Sequence, residues 1–225
     1  MRIVSFSGID GAGKSTQIAA LEGWLRAGGL RTTLMTFWDD VVVLARFRET
    51  ASHQAFGGDK GIGTPEQPIH RRDKNVSSWT VVAARFLLYT LDAISLRLRI
   101  RRIQKSNTDV VIFDRYIYDE LANLPLNRLL ARVFTRCILQ FTPRPDAAYV
   151  IDADPEQARA RKPEYPLEFL RQNREAYLAL SRMEGHMMVT DASSIAATEA
   201  KIRASFMAKA FPEQATFSAV PARLP

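Results

Sequence analysis

Apolar positions fall along this chain in short continuous runs that alternate with longer stretches repeating every three to four residues. The first run, "RIVSFS", carries Val4 and Phe6 among β-branched and aromatic neighbours and predicts a strand. Behind it, "KSTQIAALEGWLRAGG" sets Ile18, Leu21 and Leu25 at helical spacing and stops at Gly28-Gly29. "RTTLMTFW" predicts a second strand, followed by Asp39, Asp40 and a helix-like "VVVLARFRE". Residues 55–78 are polar and punctuated by Gly and Pro, too long for an ordinary connection, and predict a mobile or functional excursion.

A long helical pattern covers 79–105, and "SNTD" then turns the chain into "VVIFDRY", an apolar run of the kind buried on both faces of a parallel sheet. "AAYVIDA" is the next such run. A helix and basic stretch, "PEQARARKPEYP", lead to a further helix, "LEFLRQNREAYLALSRM"; "HMMVTDAS" predicts the last strand and "IAATEAKIRASFMAKAF" the last helix. Strands alternating with helices predict an α/β fold: a five-stranded parallel, doubly wound sheet flanked by helices on both faces. A barrel needs eight repeats, which the chain lacks. No internal repeat and no dividing linker stands out, so 1–210 are expected to form one domain. The end, 211–225, has three prolines and no helical pattern, and is expected to be a loosely held tail.

Composition narrows the setting. The chain has 225 residues, 47% hydrophobic and 24% charged, enough for a substantial core. Its one cysteine, Cys137, has no internal partner, and His53, His70 and His186 are too scattered for a metal cluster. A reducing, cytoplasmic setting fits. The most apolar later stretch, "VVAARFLLYTLDAISL", is broken by Arg85 and Asp92, so no membrane span is expected. The formal charge of +7 fits either a nucleic-acid surface or a small polyanionic ligand. Its densest run, "LRLRIRRIQK", repeats Arg97, Arg101 and Lys105 at helical spacing and is read as a solvated helix face rather than a nucleic-acid footprint.

Candidate chemistry begins at "GIDGAGKST". The spacing G-x-x-x-x-G-K-S is met over 8–15, after a predicted strand and at the start of a predicted helix, which is where a phosphate-binding loop works. Gly8, Gly11, Ala12 and Gly13 let the backbone wrap an anion whose charge the helix N-terminus also favours. In that reading Lys14 reaches the β- and γ-phosphates of ATP, Ser15 ligates Mg²⁺ and Thr16 touches the α-phosphate. Asp114 ends the predicted inner strand "VVIFD", where a phosphate-loop protein places the carboxylate that holds the metal through water; Arg115 follows at once.

With these residues in view, the chain resembles the thymidylate kinases, a family of P-loop nucleoside-monophosphate kinases. The likeness rests on "SGIDGAGKST", "FDRY" and "PRPDAAYVIDADPEQARAR", continues through "NREAYLAL" and "VTDAS", and spans most of 1–205. It implies Mg²⁺-dependent phosphoryl transfer from ATP to a nucleotide acceptor, under a lid at about 156–167. It also implies roles: Asp10 near the acceptor's sugar and the metal, Arg115 gripping the acceptor phosphate, and Arg159 or Arg161 as the transition-state arginine, since position 12 is Ala. A homodimer through the helices after the second and third strands is implied too.

Departures gather in the acceptor pocket. Where the family carries an acidic-Pro-Gly-Gly stretch, "FWDDVVV" stands; Tyr89 matches a base-stacking aromatic, yet Ala93 takes the place of the arginine four later; and "IYDELAN" follows "DRY". Deoxynucleoside kinases form the alternative, with Asp39 or Asp40 as base for a sugar hydroxyl and "YPLEFL" as the start of a post-lid helix. A third reading is a nucleotide-binding regulatory protein without catalysis.

Overall fold

A computed structural model of the protein describes residues 1–43, 48, 79–192 and 194–211. The expectations for 55–78, for most of "VVVLARFRE" and for the tail beyond Phe211 lie outside the described residues.

Five strands form one sheet in the order β2-β3-β1-β4-β5: β1 (Arg2–Ser7), β2 (Thr32–Thr36), β3 (Val110–Asp114), β4 (Ala147–Asp152) and β5 (Met188–Asp191). Every pairing is parallel. Burial follows the sequence pattern: β1, β3 and β4, the continuous apolar runs, are central and almost wholly buried, whereas β2 and β5 lie at the edges and are partly exposed.

Helix α1 (Lys14–Ala27) connects β1 to β2 and packs with α8 (Ile195–Ala210). Its end follows from the Gly28-Gly29 pair. Gly29 adopts φ 80° and donates to Arg26 O at 2.9 Å, while Leu30 N donates to Leu25 O at 3.1 Å, so a Schellman turn satisfies the last carbonyls. A second group contains α3 (Trp79–Ile103), α4 (Ile117–Leu121), α5 (Leu129–Phe141) and α7 (Leu167–Glu184), in which α4 packs on both α3 and α7. Phe86 and Phe134, stacked with centroids 4.0 Å apart, join α3 to α5. Between β4 and α7 lies the short α6 (Pro155–Arg161), started by Pro155 and by Asp154, whose Oδ1 accepts from Gln157 N at 3.0 Å.

One boundary differs from the sequence reading. Phe37 and Trp38 leave the second strand and open a four-residue helix, α2 (Phe37–Asp40), because Asp40 Oδ2 accepts from Thr36 N at 2.8 Å and turns the chain there. The third strand ends at Asp114, as expected, and Arg115 beyond it takes φ 68°.

The apolar stretch of α3 is broken by a buried ion pair. Asp92, fully buried, takes Arg48 Nη1 at 2.6 Å and Nη2 at 2.9 Å, plus Val43 N at 2.8 Å. Among the described residues no helix is long and apolar enough to cross a membrane.

Candidate active site

At the carboxyl end of the sheet, β1 and β4 are neighbours whose following connections run to opposite sides, toward β2 and β5. Open α/β sheets collect ligands at such a crevice. The loop 8–13 lies there, and two of its glycines are fixed by close backbone approach. A Cβ on Gly8, at φ 138°, would meet Ile151 O of β4 at 2.6 Å; one on Gly11, at φ 83°, would meet Ala158 O of α6 at 2.2 Å. Gly11 therefore serves twice: it permits the turn, and it lets α6 rest on the loop. Gly13 caps α1, and Ala12, buried, turns its N–H onto Ile9 O at 3.2 Å.

Lys14 folds back inside the loop. Its Nζ donates to Gly8 O at 3.0 Å and Ile9 O at 2.9 Å and lies 3.9 Å from Asp10 Oδ1. Burial, reinforced by the Arg115 charge and opposed by Asp10, Asp119 and Asp114, lowers its pKa to about 8. Ser15 and Thr16 stand exposed on the first turn of α1.

Arg115 turns off the end of β3 toward the same loop. Its N–H donates to Phe6 O at 2.9 Å, its Nη2 pairs with Asp10 Oδ1, and its Nη1 donates to Asp119 Oδ1 at 3.2 Å. Asp114, directly before it, is paired in register with Phe6 and Thr36 and acts through space on the Lys14 charge. Asp10, Lys14, Asp114 and Arg115, which sequence reading singled out from two distant segments, thus form one cluster of alternating charge. Such a cluster can bind and orient polyanions.

Helix α6 brings Arg161 to the loop: its Nη1 donates to Gly11 O at 3.3 Å, while Arg159, on the same helix, has a buried Nε with no hydrogen-bond partner among the described residues. Arg171 pairs with Glu156, and Arg174 grips Asp152 at 2.6 and 2.8 Å, tying α7 to α6 and to the end of β4.

The other acceptor candidates are on α2 and α3. Asp39 is exposed on α2 and Asp40 is engaged by Thr36 N, both at the carboxyl end of β2. Tyr89, 4% exposed, is part of the core, with its phenol hydrogen-bonded to Glu120 and, chiefly by burial, far less acidic than usual. Sequence reading missed Asp119, on α4, and its partners Ser7 and Tyr177. The signal available was spacing: Asp119 stands four residues after Arg115, and Tyr177 lies in the quoted "NREAYLAL".

Known proteins resemble the chain over most of its length. No family model matches the chain. The chain is 31% identical over 201 residues to the probable thymidylate kinase of Pyrobaculum aerophilum, covering 86% of this chain and 89% of that protein. It is 30% identical over 203 residues to the thymidylate kinase of Leifsonia xyli subsp. xyli, covering 84% and 86%. With the probable thymidylate kinase of Methanosphaera stadtmanae it shares 25% identity over 194 residues, covering 84% and 89%. Relatedness of this extent, on an all-parallel five-stranded sheet with a phosphate loop at its switch point, places the chain in the thymidylate kinase family of P-loop nucleoside-monophosphate kinases.

Proposed function

We propose that the protein transfers the γ-phosphoryl group of ATP to the phosphate of a nucleoside monophosphate, with dTMP the first acceptor to test. The observation that carries this reading is the convergence of Arg115, from the end of β3, with Asp10 and Lys14 of the phosphate loop. A monophosphate acceptor brings an anion that is already largely ionised, its second pKa being about 6. It needs a cationic grip more than a base, and Arg115 supplies one beside the loop.

In this reading the loop 8–13 and the α1 N-terminus receive the donor phosphates, with Lys14 on the β- and γ-phosphates and Thr16 on the α-phosphate. The donor set fits Mg²⁺. Ser15 is exposed on the first turn of α1, and Asp114 ends β3, in register with Phe6 of β1; Mg²⁺ is commonly held by one or two protein oxygens, substrate phosphates and waters rather than by a protein cage. Bound there, the ion would neutralise charge across the transferred group. Asp10 orients Arg115 and faces the acceptor's sugar. Arg159 and Arg161, on the helix that rests on Gly11, stabilise charge that develops on the phosphoryl group in transit.

The same reading takes the chain to be a cytoplasmic homodimer. Its lone cysteine, Cys137, is free and exposed, as suits a reducing compartment. Leu87, Ile94 and Leu98 of α3 expose one apolar face, beside Leu129, Val133 and Phe141 of α5, and a second copy of this chain would cover them.

Steady-state kinetics of three variants test the acceptor assignment. Arg115→Ala should lower kcat/KM for dTMP by about a hundredfold or more. Asp39→Asn and Asp40→Asn should be mild. A collapse confined to an aspartate variant, with thymidine as the better acceptor, would establish the nucleoside-kinase reading instead, because general-base catalysis there is typically worth about a hundred- to ten-thousand-fold.

A further inference from the structure

Asp119 does more than a helix-starting residue requires. As the third residue of α4 it needs to accept only one bond, from Tyr116 N, to satisfy the start of the helix. Four donors converge on it. Oδ2 takes Ser7 Oγ at 2.6 Å and Tyr116 N at 3.0 Å, which fasten the carboxylate to the end of β1 and to the turn after β3. Oδ1 takes the Tyr177 hydroxyl at 2.7 Å and Arg115 Nη1 at 3.2 Å. Burial, then the nearby Asp119 charge, push the Tyr177 phenol far above its ordinary pKa, so it is a fixed donor.

Arg115 has particular need of such support. Its φ of 68° is uncommon for a residue with a Cβ, and its long side chain carries much rotational freedom. Here the backbone N–H is held by Phe6 O, and the two Nη atoms are divided between Asp10 and Asp119. A guanidinium held at both ends is ordered before the acceptor arrives, so binding need not order it.

We infer that Asp119 is a positioning residue: it presets the Arg115 guanidinium for the acceptor's phosphate, and Tyr177 holds it in that role from α7. The inference rests on the monophosphate-kinase reading above. It goes beyond helix capping because its effect must run through one arginine and be felt by one phosphate group.

The test is calorimetric titration of dTMP, thymidine and ATP into wild type, Asp119→Asn, Arg115→Ala and the double variant. Asparagine keeps the shape and an acceptor oxygen but removes the charge that faces Arg115. The expected result is a loss of about tenfold in dTMP affinity, of the size that follows when one rotamer-rich side chain must be ordered on binding. Thymidine and ATP affinities should not move. In the Arg115→Ala background Asp119→Asn should cost nothing further, because the two act as one unit. Tyr177→Phe, which removes a single hydroxyl, should show a smaller loss with the same selectivity and carries the test alone if Asp119→Asn does not fold.

Equal losses for dTMP and thymidine, an undiminished loss in the Arg115→Ala background, or no loss in either Asp119→Asn or Tyr177→Phe would overturn the inference. A wild type that does not bind dTMP, or an Arg115→Ala protein that binds it normally, would overturn the monophosphate reading and this inference with it. Sensitivity to Arg115→Ala without sensitivity to Asp119→Asn or Tyr177→Phe removes only the positioning role.

Discussion

Burial at Lys14 opposes the charge that its proposed work requires. Its pKa falls from the ordinary 10.5 to about 8, so between those values the folded protein binds fewer protons than the unfolded chain. Stability therefore rises with pH through that window, and below about pH 8 the ammonium costs the fold on the order of 3 kcal/mol. Lys14→Met should accordingly raise the melting temperature of the ligand-free protein at pH 7 while abolishing most transfer. Its thermal advantage should shrink as pH climbs from 8 to 10. A melting difference that ignores pH would show that Lys14 is not strained by burial. Residues of this kind were legible because the phosphate-loop spacing names them: Gly8, Gly13, Lys14 and Ser15 stand at the positions that the spacing specifies. Asp119 was not legible, since a lone carboxylate in "IYDELAN" gains meaning only when Ser7, Arg115 and Tyr177 arrive from three other segments. Tyr89 shows the converse. The family resemblance marked it as a base-stacking aromatic, but its depth in the core and its Glu120 partner depend on α4, which that resemblance did not announce.

Among the elements, α6 rests directly on the phosphate loop. Its backbone sits so close to Gly11 that no side chain fits between them, and Arg161 reaches back to Gly11 O. An arginine that matters only when charge develops should affect turnover more than donor binding. Arg159→Ala, which removes the guanidinium whose buried Nε has no partner among the described residues, should reduce kcat by about a hundredfold and leave ATP affinity within a few-fold. Arg161→Ala should act in the same sense. Single-turnover rates alongside ATP titrations check this, and unchanged rates in both variants would make α6 surface charge only. The central strands were readable because burial on both faces selects continuous apolar runs such as "VVIF" and "AAYVI". Helix α5 went unread although its signal was present: in "LLARVFTRCILQF" Arg132, Arg136 and Gln140 recur every four residues on one polar face, while Ala131, Thr135 and Ile138 are buried.

For the whole molecule, the exposed apolar residues of α3 and α5 carry a prediction about assembly. Leu98 is 47% and Leu129 75% exposed, values that a second copy of the chain would lower. Sedimentation velocity should find a dimer, and Leu98→Glu should shift it to monomer, since a charge buried across an interface core is unfavourable. A monomeric wild type would remove that surface from the account. The positive balance of the chain, +7, suits polyanionic ligands, and the cluster of Lys14, Arg115, Arg159 and Arg161 at one end of the sheet is where they would be held. The central claim is that this end passes a phosphoryl group from ATP to a phosphate. Its most direct measurement is ADP release by wild-type protein with ATP and Mg²⁺, comparing dTMP with thymidine at matched concentrations and identifying the product. The account expects dTMP to support turnover, with dTDP formed mole for mole with ADP, and thymidine to give little. Turnover with thymidine to dTMP, or ADP release indifferent to both acceptors, would contradict it.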